Sequence, residues 1–227
     1  MSWLRDLVAV YARVLRRGVD LAVRHWWLGF VATAYQAVLL LLIIGVTPLR
    51  IRMLGGFIVV FAMAALVSSW LVLVGGVVRD GRTSLADVPG SFGVYLGDVL
   101  TVGFLLWALQ YVAAAALGDQ SYLAIVFELA LLVFLSAVPE QIYLGGESGA
   151  AIFVESYRFV AANWIEWLPP TGVLLTILFA AGTIPYAPAA VVADGLALAF
   201  MFIVRGLLFL ELTTSSRRAR EFRRAAG

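Results

Sequence analysis

The chain has 227 residues, 63% of them hydrophobic and 13% charged, with a net charge of +2. A soluble domain of this length carries about 25% charged residues, so a water-facing surface over most of the chain is excluded and lipid is the expected solvent. Cysteine is absent and His25 is the single histidine, which excludes disulfides, thiolate chemistry and a multi-histidine metal site.

In chain order, residues 3–24 come first. Projected at 100° per residue, they put Trp3, Leu4, Leu7, Val8, Val10, Tyr11, Val14, Leu15, Val19 and Leu21 on one half, with Arg5, Asp6, Arg13, Arg16, Arg17, Asp20 and Arg24 on the other; only Val23 strays. This pattern predicts an interfacial helix lying along the cytoplasmic leaflet, its arginines among anionic headgroups. The alternative is a soluble helix packed on a partner protein. With five arginines and no continuous apolar core, the segment does not read as a cleavable signal.

Six apolar stretches follow, at 26–46, 54–78, 98–117, 121–145, 168–187 and 189–213. Each meets the roughly 20 residues that a helix needs to cross a hydrocarbon core of about 30 Å. The short connections "TPLRIRM", "GDQ" and "AP" pair them as three antiparallel hairpins. All sixteen basic residues are arginine, and their distribution sets the expected orientation. Thirteen fall on one side (Arg5, Arg13, Arg16, Arg17, Arg24, Arg79, Arg82, Arg158, Arg217, Arg218, Arg220, Arg223 and Arg224), Arg50 and Arg52 fall on the other, and Arg205 lies inside a span. Both termini are therefore expected to be cytoplasmic, in a cell inner membrane.

Between the second and third spans, "RTSLADVPGSFGVYLGD" offers Ser84 as an N-cap with Asp87 three residues on, and Pro89-Gly90 to end a short helix. Residues 147–167 form a further amphipathic stretch: Ala150, Phe153, Val154, Tyr157, Val160, Ala161 and Trp164 share a stripe opposite Glu155, Arg158 and Glu166, although Ile152 and Phe159 stray. Gly75-Gly76 and Gly145-Gly146 close the second and fourth spans, and Trp26-Trp27, Tyr95-Leu96 and Asn163-Trp164 stand near the entries of the first, third and fifth. The spacing describes a repeat of three units, each an interfacial helix followed by a transmembrane hairpin. Simple periodicity of spans is the competing explanation.

On these residues the chain resembles several uncharacterised bacterial inner-membrane families. The "GGVVRDGRTSLADV" linker and "ESYRFVAANWIEWL" before the fifth span are also similar to the membrane domain ahead of some glycerophosphodiester phosphodiesterases. The resemblance implies a polytopic membrane module and carries no catalytic residue across.

Ionisable side chains inside spans are expensive, so each is a functional candidate. They are Glu128 and Glu140 in the fourth span and Asp194, Arg205 and Glu211 in the sixth, with Gln36, Gln110 and Gln141 as neutral company. Glu140 and Arg205 fall within about 5 Å of the same depth, at 1.5 Å per residue, and are expected to pair. Pro139 should kink the fourth helix and free a carbonyl. Glu128 has no evident cationic partner; it is either protonated, hydrogen-bonded to Gln110 of the preceding span, or turned to a wet cavity.

Gly146-Glu147-Ser148-Gly149 matches the G-x-S-G of rhomboid-type intramembrane proteases. That chemistry needs a histidine on a later span, and His25 precedes the first. The arginine count also puts Ser148 on the cytoplasmic side, after its span has ended. Ser148 therefore reads as a helix N-cap or turn residue. No nucleotide-binding loop or H-E-x-x-H motif is present.

The expected protein is all-α and polytopic, with six transmembrane helices as three hairpins and cytoplasmic interfacial helices. Its organisation is an N-terminal amphipathic helix over 1–25, a six-helix domain over 26–213 and a basic cytoplasmic tail over 214–227. The expected function is a non-enzymatic accessory or scaffold subunit, without catalytic residues, metal or cofactor. Arg13, Arg16, Arg17, Arg217, Arg218 and Arg220 are placed to meet lipid or partner. The expected partners are membrane lipids and either other integral membrane proteins or further copies of the chain, and not nucleic acid. The alternative is a permease subunit of an ABC-type exporter, whose amphipathic elbow helix and short coupling helix residues 3–24 and "RTSLADVPG" would supply; an intramembrane enzyme comes third.

Overall fold

The computed structural model describes residues 2–47, 52–117 and 122–225. Most of the turn "TPLRIRM", including Arg50, and the whole of "GDQ" lie outside them. There is no strand among the described residues, and six helices are long and apolar enough to cross a membrane: Trp27–Val46, Leu54–Asp80, Leu96–Ala116, Tyr122–Gly145, Ala151–Gly182 and Ala187–Thr214. The chain is an all-α, multi-pass membrane protein. This is the architecture a mostly apolar chain adopts where backbone groups must satisfy one another within each helix.

The helices in chain order are α1 (Ser2–Arg24), α2 (Trp27–Val46), α3 (Arg52–Asp80), a 3-10 turn (Leu85–Asp87) leading into α4 (Val88–Ser91), α5 (Leu96–Leu117), α6 (Tyr122–Phe134), the single turn α7 (Val138–Glu140) with a π-helical turn (Gln141–Gly145), α8 (Ala151–Gly182) and α9 (Ala187–Ala225). They form two compact units. The first holds Met1–Thr33, Val74–Thr83 and Ile165–Gly227; the second holds Ala34–Leu73 and Ser84–Trp164.

Several boundaries differ from the sequence reading, each for a local reason. Gly75-Gly76 does not close its span: α3 runs on to Asp80, and Gly81 ends it with a φ of +66° that favours glycine. Gly76 serves a close approach instead, since the chain folds back on it and a Cβ there would meet the Arg82 carbonyl oxygen at 3.1 Å. The structural counterpart of Gly81 is Gly146, with φ +88° at the end of the π-helical turn. Pro89-Gly90 does not end the short helix but lies inside α4, where proline suits the first turn. The turn between the last two spans is 183–186 and not "AP", because Pro188 sits in the first turn of α9.

Residues 151–167 of the amphipathic stretch and the fifth span lie within α8, as two helical segments that meet at non-helical dihedrals of Asn163. Asn163 Nδ2 donates to the Phe159 carbonyl at 2.8 Å, covering an acceptor that the break exposes. The joint between α1 and α2 uses a related device: His25 Nδ1 lies 3.0 Å from the Leu21 carbonyl, also four residues back. The two joints stand 138 residues apart. α9 continues to Ala225, so residues 214–225 of the expected basic tail are helical. At 1.5 Å per residue it is about 58 Å long, nearly twice the hydrocarbon core, so it must leave the bilayer.

In the first unit α1 packs along α9, with Val14, Gly18 and Leu21 buried. A Cβ on Gly18 would come within 2.6 Å of Val204 Cγ2. Further along, Gly195 lies so close to α2 that a Cβ would collide with the Gly29 carbonyl, and Thr33 Oγ1 donates to Gly29 O at 3.0 Å and Val191 O at 3.3 Å. Small residues let helix backbones approach where lipid offers no hydrophobic drive to associate.

Candidate functional site

In the second unit, the region where α7 meets the linkers concentrates the buried polar chemistry. Its origin is Pro139. Without an N–H, proline cannot continue the α-helical ladder, and α6 stops at Phe134, with residues 135–137 in a turn before α7. The expected kink and freed carbonyls are both present. Val138 N–H takes the Leu135 carbonyl at 3.1 Å, and the Ser156 hydroxyl, fully buried on α8, donates to the Phe134 carbonyl at 3.0 Å. A side chain 22 residues downstream thus satisfies an acceptor that would otherwise be orphaned in an apolar surrounding.

Just past the break, Glu140 is 0% exposed and Gln141 is buried beside it. The next five residues wind as a π-helix, a form found mostly as single turns and frequently at functional sites. The Gln141 side-chain amide fills the space beside Gly145, where a Cβ would strike its oxygen. The chain then turns through Gly146 and Gly149, both at positive φ, and Asp98 Oδ1 accepts the Gly149 N–H at 2.9 Å. Ser148 is exposed in this turn, three residues before α8 begins, so it is a turn residue and not the helix N-cap.

The linker after α3 is held by a chain of hydroxyls that the sequence reading did not identify. Ser84 and Asp87 form the expected capping box, with Ser84 N–H donating to Asp87 Oδ2 at 2.8 Å. Beyond it, Ser91 Oγ donates to the Val88 carbonyl at 2.7 Å and lies 2.6 Å from Ser69 Oγ, which in turn lies 2.6 Å from the Tyr35 hydroxyl. Each hydroxyl has one proton, so the direction of the chain is set: Ser91 spends its proton on Val88, Ser69 donates to Ser91, and Tyr35 donates to Ser69. Next to it, Ser68 Oγ accepts the Tyr95 N–H at 2.9 Å and donates to the Ser91 carbonyl at 3.4 Å. Ser68, Ser69 and Ser91 are buried, and the rings of Tyr35 and Phe92 lie 6.0 Å apart. Two adjacent serines in an apolar run and a serine after Pro-Gly were the visible signal; their meeting depends on hydrogen bonds across 22 to 34 residues of chain.

In the first unit, Arg205 is 6% exposed, and its guanidinium carbon lies 4.9 Å from the centre of the fully buried Trp167 ring, itself edge-on to Phe209. A cation over an indole face is held by the ring quadrupole and more strongly where water is excluded. Glu140 falls in the second unit and Arg205 in the first. Arg13 is engaged by Glu211 at 2.9 Å, a pair open to solvent on both sides and hence a weak contributor to stability. Tyr11 donates to the Glu166 carbonyl at 2.9 Å, and its phenol titrates above the usual value because of burial first and the Glu166 carboxylate second. Arg16 and Arg17 are exposed and make no hydrogen bond or ion pair among the described residues. The side chains of Arg217, Arg218 and Arg220 lie outside the described residues.

Glu128 and Gln110 are both exposed, on α6 and α5, and no hydrogen bond joins them. Of the three alternatives for Glu128, the bond to Gln110 is therefore not the one formed. No protein-family model, curated protein or solved structure matches the chain.

Proposed function

We propose that the chain is a non-enzymatic accessory or scaffold subunit of a bacterial inner membrane, with both termini in the cytoplasm, that packs against lipids and other membrane proteins. The observation that carries this reading is the three-sided character of α1. One side, Val14, Gly18 and Leu21, is buried against α9. A second, Val8, Leu15, Val19 and Val23, is apolar yet exposed. The third is basic, with Arg16 and Arg17 unengaged among the described residues. A helix already packed on one side needs no second apolar stripe in water; beside exposed arginines, that stripe suits the boundary between acyl chains and anionic headgroups. Val23, which strays from the helical projection, falls into this stripe and is 67% exposed.

The experiment is extraction of the tagged full chain in mild detergent from its own membrane, followed by identification of what accompanies it. A companion integral membrane protein in fixed ratio is the expected result. Recovery of the chain with no protein companion under every gentle extraction would overturn the subunit reading. The permease reading is favoured by one feature, the outward edge of the linker helix, where Leu85, Asp87, Pro89 and Gly90 are exposed and open to an ATPase. ATP-dependent solute efflux from vesicles carrying the chain and that ATPase would replace the scaffold reading with it.

A further inference from the structure

The hairpin of α5 and α6 carries an anomaly for a protein dissolved in lipid. Glu128 lies six residues into α6, and Gln110 lies seven residues before the end of α5. Both are therefore about 10 Å along the helices from the turn between them, well inside the apolar stretch. Both are exposed, and neither has a hydrogen-bonding partner among the described residues. Acids and amides at such depth ordinarily face a bundle interior or a wet cavity, because lipid tails offer them nothing. The face they occupy is therefore covered by something that can hydrogen-bond.

The pattern around them says what. Trp107, Gln110 and Ala114 recur at spacings of three and four along α5, as do Ile125, Glu128 and Leu132 along α6, so each trio shares a helix face; all six are exposed. Counted from the turn, the trios match in depth: Trp107 with Leu132, Gln110 with Glu128, Ala114 with Ile125. A two-fold axis along the membrane normal moves a residue sideways without changing its depth. It therefore brings Gln110 of one copy to Glu128 of the other, and simultaneously the reverse, as a self-complementary interface requires. The amide donates and accepts, so it satisfies the carboxyl group from either side. A bulky indole then faces a leucine, and an alanine faces an isoleucine, which are sound packing partners.

We propose that this face of the α5–α6 hairpin is the contact between two copies of the chain, closed by two reciprocal Gln110–Glu128 hydrogen bonds. The proposal rests on the accessory-subunit reading and deepens it by naming one partner, a second copy. Since the chain has no cysteine of its own, the contact can be tested by disulfide trapping. Full-length Ala114→Cys and Ile125→Cys chains, differently tagged and coexpressed, are oxidised in their membranes. A disulfide-linked dimer of the two is expected, and Val126→Cys in place of Ile125→Cys should give little. In nanodiscs of defined lipid, Glu128→Leu or Gln110→Leu should each weaken dimerisation of the cysteine-free chain about tenfold, the scale of two lost interhelical hydrogen bonds. Absence of the mixed disulfide in chains that melt like wild type, or a dimer indifferent to both leucine substitutions, overturns the proposal. So does a disulfide from Ala114→Cys to a different membrane protein, an outcome that leaves the accessory-subunit reading standing. Conversely, a two-copy assembly with no other protein companion would sink the wider reading and keep this one.

Discussion

At the linker end of the second unit, Ser68, Ser69, Ser91 and Glu140 are shut away from the surface, while on the α5–α6 hairpin Gln110 and Glu128 stand open to it. Both regions carry polar groups in a lipid-dissolved chain, and the physical cost of each group is the same in kind. The linker end meets the cost internally: one hydroxyl chain ends on a backbone carbonyl, a second serine covers the carbonyl freed by Pro139, and Asp98 holds the loop that follows. The hairpin leaves its cost unmet within one copy. Polar groups satisfied within the fold belong to its architecture; those left unsatisfied on its surface point to an encounter.

This contrast can be broken by substitution, beginning at the linker end. Glu140→Gln should cost the most, on the order of 3 kcal/mol if the buried carboxylate holds a cation as expected; thermal unfolding in detergent measures it. Whether that cation is Arg205 is read from a cycle, since Arg205→Gln added to Glu140→Gln should then cost far less than Arg205→Gln alone, and full additivity would deny the pair. Ser69→Val cuts the hydroxyl chain at its middle and strands Tyr35 as a donor. The expected loss is about 2 kcal/mol in the same assay, from unsatisfied buried groups. Ser156→Ala should cost about 1 kcal/mol by orphaning the Phe134 carbonyl, with faster hydrogen exchange near the break. Glu128→Leu sharpens the other side: in dilute detergent, where copies are apart, its melting should stay within about 0.5 kcal/mol of wild type. A large loss there would mean that the hairpin carboxyl is as internal as the linker serines, and the contrast would fall.

Apolar length made the spans readable, because a bilayer demands about 20 residues whatever their order. Pro139 was readable as a break for a similarly local reason, and so was the capping box of Ser84 and Asp87. Gly75-Gly76 misled because glycine inside a lipid-embedded helix serves close approach as often as termination; the terminator, Gly81, stood after a polar run that looked like linker. Asn163 was hidden between two stretches that each looked helical, and only its dihedrals place the joint there and not at 168. The hydroxyl chain was out of reach because Tyr35, Ser69 and Ser91 sit on three different elements, and a serine in an apolar run looks the same whether it packs or bonds. Exposure of Glu128 was equally illegible, since a lone acid in a span has no sequence mark for the direction it faces.

A chain that works in assembly with other membrane-embedded chains, as proposed, should leave the membrane together with them. Native mass spectrometry of the protein ejected directly from its own membrane tests that in one spectrum. Species that contain this chain in at least two copies together with another integral membrane protein in fixed ratio are expected. A spectrum holding only the single chain and its lipids, at every gentle ejection energy, would contradict the proposal.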